Sequence, residues 1–277
     1  MSGGPGGGGL PPQLQARLDD LWFENYAAWA RAHPRGRVEE LAGWRIASLG
    51  SRWPFYNVAT QVAGATPDVD RLRDAFGPEG YRVWLRDGME HAEAALVGAG
   101  FTTELQLDAY VYDLSVAASV GDDPMVVVRG DYEVGRATSR EEIEECVWGD
   151  LLSPWLDVGD VKAAFPDPYR MAQAADRRFY QARNGGRLVA TGQSLLHQGF
   201  AGVYAMWTAE PHRLRGLASA LLRLIRDDAA AAGATHMTLQ ATEPGGGLYV
   251  RAGFERRYAY RVYGEGNQGR WTSTPSR

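Results

Sequence analysis

The stretch WTAEPHRLRGLASALL, residues 207–222, passes from an apolar strand-like run through a proline into a glycine-bearing basic turn, then into a helical pattern. Arg213, Leu214, Arg215, Gly216, Leu217 and Ala218 stand where the helix begins. The first turn of a helix leaves backbone N–H groups without intrahelical acceptors. Those donors and the positive end of the helix dipole suit an anion. Gly216 has no Cβ to hold a ligand away, and Ala218 keeps the next contact small. Two arginines add bidentate donors for phosphate. These residue types describe a phosphate or pyrophosphate cradle. Taken alone, the turn is also compatible with an ordinary basic helix start capped by water.

Other chemistries find less support. There is no GxxxxGK[ST] loop, and the single lysine, Lys162, lies elsewhere. GEGNQG (264–269) has the spacing of a dinucleotide fingerprint but too little chain after it for the helix and strand that such a site needs. His33, His91, His197, His212 and His236 form no HExxH pair, and one cysteine makes no zinc knuckle, so no metal site is expected. No GxSxG elbow is present. Cys146 excludes an intrachain disulfide and fits a reducing, cytoplasmic setting. Its acidic neighbours would raise the thiol pKa, so a buried structural role is expected. A net charge of −5 offers no basic field for nucleic acid. No apolar run reaches the roughly 18 residues of a membrane span.

Periodicity predicts the elements around the turn. Residues 13–32 predict an amphipathic helix and 86–98 another, with a strand over 102–114. Residues 1–12 read as a disordered leader, 115–126 as a linker and 266–277 as a tail. MVVVRG (125–130) reads as a strand. SREEIEECVWG carries the Ser139/Glu142 capping-box spacing. PYRMAQAADRR predicts a helix, and RFYQARNGGRLVATGQSLLHQ a hairpin around its NGG turn. GVYAMWT is a strand, 213–232 a helix, 235–242 a strand, 246–252 a short helix and ERRYAYRVY a closing strand.

ALVGAGF (95–101) and LYVRAGF (248–254) share four of seven positions, each between a helix and a terminal strand. That echo suggests two related halves. The run 202–263 resembles the GCN5-related N-acetyltransferases. Arg213, Gly216 and Ala218 match the family's [RQ]xxGx[GA] signature, and Tyr249, Gly253 and Phe254 match its LYxxxGF. The resemblance implies a mixed α/β fold with two such halves over 13–114 and 127–265, each a mixed twisted sheet flanked by helices, the second complete and catalytic. It implies acetyl-CoA, or another acyl-CoA, as donor. The backbone of Met206, Trp207 and Thr208 would pair with pantetheine. The amides of Leu214, Arg215, Gly216, Leu217, Ala218 and Ser219 would hold the pyrophosphate beside Arg213. Tyr249 would protonate the leaving thiolate.

Direct attack by a neutral amine needs an acceptor for its proton. Relatives often place a carboxylate on the fourth strand, where this chain has Gly202–Met206. Glu210 and His197 are the nearest alternatives in sequence. The first half has no [RQ]xxGx[GA] and carries Leu96 where Tyr249 stands, so it reads as degenerate. Trp53, Phe55 and Tyr56 form either core or an aromatic wall for the acceptor. Trp148, Trp155, Tyr204 and Trp207 fit a shaped pocket. The reading is an N-acetyltransferase for a small-molecule amine, working as a monomer or homodimer, with no nucleic acid or membrane partner. A protein lysine or N-terminal acetyltransferase and a non-catalytic acyl-CoA sensor are the alternatives.

Overall fold

The computed structural model describes residues 10–117, 127–148 and 158–266. The 1–9 part of the expected leader, most of the expected linker, almost all of the tail, and Trp155 lie outside the described residues. The chain opens with helix α1 (Pro12–Ala32), strands β1 (Arg37–Leu41), β2 (Trp44–Ser48) and β3 (Asn57–Gln61), helix α2 (Val69–Phe76), strand β4 (Arg82–Arg86), helix α3 (Glu90–Gly98), strand β5 (Phe101–Asp113) and the single turn α4 (Leu114–Ala117). It continues through β6 (Glu133–Ala137), α5 (Arg140–Trp148), α6 (Val158–Ala164), α7 (Pro168–Gln173), β7 (Arg177–Asn184), β8 (Arg187–His197) and β9 (Phe200–Thr208). The last elements are α8 (Leu217–Ala231), β10 (His236–Ala241), α9 (Glu243–Arg251) and β11 (Glu255–Glu265).

Local signals account for many of these. The β7–β8 hairpin turns on Gly185 and Gly186, both at positive φ (55° and 78°), as the right-handed twist of the flanking strands favours. The capping box at α5 is closed both ways: the Glu142 N–H donates to Ser139 Oγ at 3.2 Å, and the Ser139 N–H to Glu142 Oε2 at 3.1 Å. Cys146 is buried in this helix, and burial pushes its thiol up to about 11, as expected of a structural residue.

The described strands form one sheet in the order β1-β2-β3-β4-β11-β5-β10-β9-β8-β7-β6. Each half has a parallel pair, β3 with β4 and β9 with β10. Each half then sends its closing strand into the other. β5 pairs antiparallel with β10, and β11 lies antiparallel between β4 and β5. The two mixed sheets expected from the sequence are therefore fused by exchange of equivalent strands. One face of the joint sheet is covered by α1 and α5–α7 over a shared core that includes Leu21, Trp22, Trp84, Leu107, Phe179 and Tyr260. The opposite face carries two separate cores. One is under α8 and α9 around Leu221, Ile225 and Leu239, the other under α2 and α3 around Leu72, Phe76 and Leu96.

Three expectations are corrected. Residues 127–130 are not a strand; the Arg129 N–H donates instead to the Arg215 carbonyl at 3.0 Å, and the edge strand β6 starts later, at Glu133. Residues 82–86 pair as β4, so the helix expected from 86 begins at Glu90. The helix expected from 213 begins at Leu217, because Leu214 and Gly216 both take positive φ.

Candidate active site

The turn that the sequence marks as a cradle is a left-handed, uncapped helix start. Gly216 is the N-cap of α8 at φ 87° and ψ 0°, and no side chain caps the helix. Leu214 is also left-handed, at φ 60°, with its side chain 99% exposed. The turn is tethered at its base: the Arg213 Nε donates to the Thr208 carbonyl at 3.2 Å, and the Tyr132 hydroxyl meets His212 Nδ1 at 2.9 Å. Gly216 answers to a constraint not foreseen. A Cβ there would lie 2.4 Å from the Val127 carbonyl oxygen, so the chain's own backbone makes the close approach. Uncapped N–H groups, a left-handed glycine and adjoining arginines are a donor set that fits a pyrophosphate.

Leading up to the cradle, β9 is bulged and splayed. Gln193 pairs with Tyr204 and Thr191 with Trp207, which leaves Ala205 and Met206 opposite one residue, with Ala205 at φ 49°. That one residue is Gly192, where a Cβ would fall 2.5 Å from the Met206 sulfur. β9 pairs with β10 only from Phe200 to Gly202. Beyond that point β10 is held by β5 alone, and the two parallel strands separate. Peptide groups of Met206, Trp207 and Thr208 thus stand at the lip of an opening, where an extended ligand can add main-chain hydrogen bonds.

The opening is a cavity of about 420 Å³ that passes between the strands. On the α8–α9 side it is lined by Val203, Met206, Ala241 and Tyr249. On the α1 side the lining comes from Tyr204 and Gln240 and, across the half boundary, from Tyr26, Phe55, Trp84, Leu105 and Leu107. Tyr249 is held by α9 with its ring 6.1 Å from Tyr110 and 6.0 Å from Phe254. Burial pushes its phenol up to about 12, so the hydroxyl carries its proton at neutral pH. Tyr26 and Tyr204 are pushed further up by the same cause.

The structure brings Met206 and Tyr249 to one cavity, with Trp207, Thr208 and the Arg213–Ser219 turn beside it. It does not bring Glu210 or His197 to the lining. Glu210 sits exposed in a short turn before the cradle. His197 ends β8 at the far end of the β9 hairpin, its Nε2 2.9 Å from Asp20. Of the three aromatics in 53–56, Phe55 lines the cavity, while Tyr56 packs edge-on against Phe165. Trp148 is tied to the Phe165 carbonyl at 2.7 Å, and Trp207 packs on the α1-side core. Tyr26, Trp84, Leu105 and Leu107 were not foreseen; they reach the cavity through the strand exchange, which no local pattern announces.

A larger cavity, about 580 Å³, lies at the matching splay of β3 and β4 under α1. Its two aspartates are already paired. Asp19 accepts from Arg86 at 2.7 Å, Gln15 at 2.9 Å and Tyr260 at 3.2 Å, while Asp20 accepts from Arg45 and His197.

Residues 141–254 match the sequence model of the Acetyltransferase (GNAT) family. The C-terminal half is thus similar, in sequence, to the GNAT acetyltransferase domain. The match covers the splayed strand, the cradle and Tyr249. Structural likeness extends over both halves. A GCN5-related N-acetyltransferase from Kribbella flavida superposes with a TM-score of 0.67 at 18% identity, covering 90% of this chain and 95% of that one. A tandem GNAT protein from the clavulanic acid biosynthesis pathway gives 0.56 at 14% identity, over 90% and 94%. A GCN5-related N-acetyltransferase from Sphaerobacter thermophilus gives 0.53 at 14%, over 80% and 76%. At these identities the likeness is one of fold, and it makes the N-terminal half GNAT-like as well. No curated protein matches the chain by sequence.

Proposed function

We propose that the chain is an acetyl-CoA-dependent N-acetyltransferase acting on a primary amine of a small molecule. The observation that carries this reading is the alignment, along one path, of an uncapped α8 start, the bulged lip of β9 and the buried phenol of Tyr249. The amides of 214–219, with Arg213 and Arg215, would hold the donor's pyrophosphate. Met206–Thr208 would pair with its pantetheine arm and deliver the thioester into the cavity. The amine nitrogen then attacks the carbonyl carbon. A C–N bond forms, the C–S bond breaks, and the thiolate takes the Tyr249 proton. The proton lost by the amine restores the phenol, so the net transfer is from nitrogen to sulfur. No carboxylate or imidazole stands in the described lining, so the reading asks for an amine that enters uncharged.

Calorimetric titration of the purified protein with acetyl-CoA, beside an Arg213→Ala/Gly216→Asp variant, tests the donor site. Micromolar binding abolished in the variant is expected. A folded wild type that binds neither acetyl-CoA nor CoA would overturn the proposal. The missing carboxylate also favours a non-catalytic acyl-CoA sensor, which would bind the donor yet release no thiol with any amine.

A further inference from the structure

One glycine governs the α1 side of the cavity, where the acceptor would sit; this assignment rests on the acetyltransferase reading. Gly202 is the last residue of β9 to pair with β10, opposite Thr238, so it stands where the two strands part. Its backbone is not left-handed, and a strand interior disfavours glycine. What the position uses is therefore the missing side chain. Tyr204, two residues on, projects from the same face of β9 and lines the cavity. A Cβ on residue 202 would fall 2.5 Å from Cε2 and Cζ of the Tyr204 ring, and closer still to its hydroxyl oxygen. The ring thus folds back along the strand, with its phenol end over residue 202. The hydroxyl is held there, donating to the Leu21 carbonyl of α1 at 3.3 Å. A side chain at 202 would leave that ring little choice of direction. Gln193, its register partner on β8, is buried beside it, and α1 lies over it. On the β10 side the strands have separated, and that gap is the cavity. The rest of this side is walled by Tyr26, Phe55, Trp84, Leu105 and Leu107, all from the N-terminal half. Space beside such a wall suits an apolar ring.

We propose that Gly202 is a specificity-determining residue: by letting Tyr204 fold back, it keeps open an apolar subsite for the body of the acceptor, a primary amine that carries an aromatic ring. Tyr204 closes the end of this subsite. A larger residue at 202 swings its ring into the space that the acceptor's ring takes, and leaves the donor path along Met206–Thr208 open.

The test compares phenethylamine with propylamine, two amines of similar basicity, as acceptors for the full chain, read by thiol release from acetyl-CoA. The wild type is expected to favour phenethylamine about tenfold in kcat/KM, the worth of burying a ring. Gly202→Ala should remove that preference, mainly by raising KM for phenethylamine, while acetyl-CoA affinity measured by calorimetry holds. Tyr204→Leu leaves no ring to displace, so the Gly202→Ala/Tyr204→Leu double variant should regain the preference, which general damage to the fold would not allow. Should Gly202→Ala fail to fold, Tyr204→Leu alone carries the test. It opens the end of the subsite, so phenylbutylamine should gain about tenfold on phenethylamine, the worth of two more buried methylenes. A wild type that uses propylamine as well or better, a Gly202→Ala loss shared equally by both amines, a double variant without preference, or a Tyr204→Leu variant with no gain for the longer amine would overturn the assignment. So would acetylation of neither amine by a protein that binds acetyl-CoA. Absence of acetyl-CoA binding in the wild type is a different result, because it removes the acetyltransferase reading itself.

Discussion

Helices α2 and α8 both follow a strand that splays from its parallel neighbour, one in each half. α2 starts at Asp68, whose carboxylate accepts the Arg71 N–H at 3.0 Å. α8 starts at Gly216, with no side-chain hydrogen bond capping it. The anion position at the head of α2 is filled by the chain's own carboxylate, whereas at α8 no side chain caps the turn. The next helix in each half differs in the same sense. α3 and α9 end alike, with Ala99 and Ala252 as C-caps and Gly100 and Gly253 at φ 93° and 88°. Yet Leu96 is sealed in a core, and Tyr249, one repeat later, lines a cavity. Under the proposed function, the residue at a helix head and one helical side chain are what distinguish the two scaffolds.

The comparison can be broken most severely by separating the halves. Residues 127–266 expressed alone leave β10 without β5, and β11 without both its neighbours. The fragment is expected to lack cooperative unfolding, and a fragment with a sharp melting transition would show that the exchange is dispensable. Gly216→Asp makes the head of α8 resemble that of α2. It adds a charge, forces an L side chain at φ 87° and drives a Cβ onto the Val127 carbonyl. Acetyl-CoA affinity should fall more than about a hundredfold, with about 1–2 kcal/mol lost in stability from the backbone alone. Wild-type affinity in this variant would mean that the cradle is not the donor site.

Tyr249→Phe makes α9 resemble α3. Thiol release should drop about a hundredfold while acetyl-CoA affinity holds. A phenol pushed up to about 12 stays protonated far above neutrality, so the gap between wild type and variant should be flat from pH 7 to about 10 and close only as pH rises toward 12. The same shift has a stability sign. Between the ordinary tyrosine range and 12 the unfolded chain loses this proton first, so that contribution is complete below about pH 10 and disappears above it. Asp68→Ala is the smallest change: loss of a cap worth about 1 kcal/mol, visible as a lower Tm, with turnover unaltered.

What the sequence made legible was local. The glycine-led start of α8, the capping box at Ser139 and Glu142, the NGG hairpin and the register of Leu96 with Tyr249 each depend on residues a few positions apart, and each is found in place. The wall of the cavity was not legible. Tyr26 and Trp84 line one cavity with Tyr204 and Gln240 in a sheet where β5 and β11 change partners, and strand pairing across such separations leaves no periodic signature. Glu210 and His197 drew attention by nearness in the chain, yet β8 and β9 are long enough to put His197 at the other end of their hairpin, on Asp20. The valines of 127–130 read as a strand from propensity, yet the Arg129 N–H and Val127 carbonyl meet the cradle turn, and that tertiary contact decides the outcome.

The position of β11 also orders events during synthesis. β4 and β5 are close in sequence but are not neighbours in the sheet; the space between them is the width of one strand and is filled by residues 255–265. A nascent chain that has released 82–113 from the ribosome therefore carries two unsatisfied strand edges facing each other. They stay unsatisfied until the cradle, α8 and α9 have been made. Completion of the N-terminal half thus waits on the C-terminal one, and a chain halted in between exposes an apolar slot that quality-control factors can recognise.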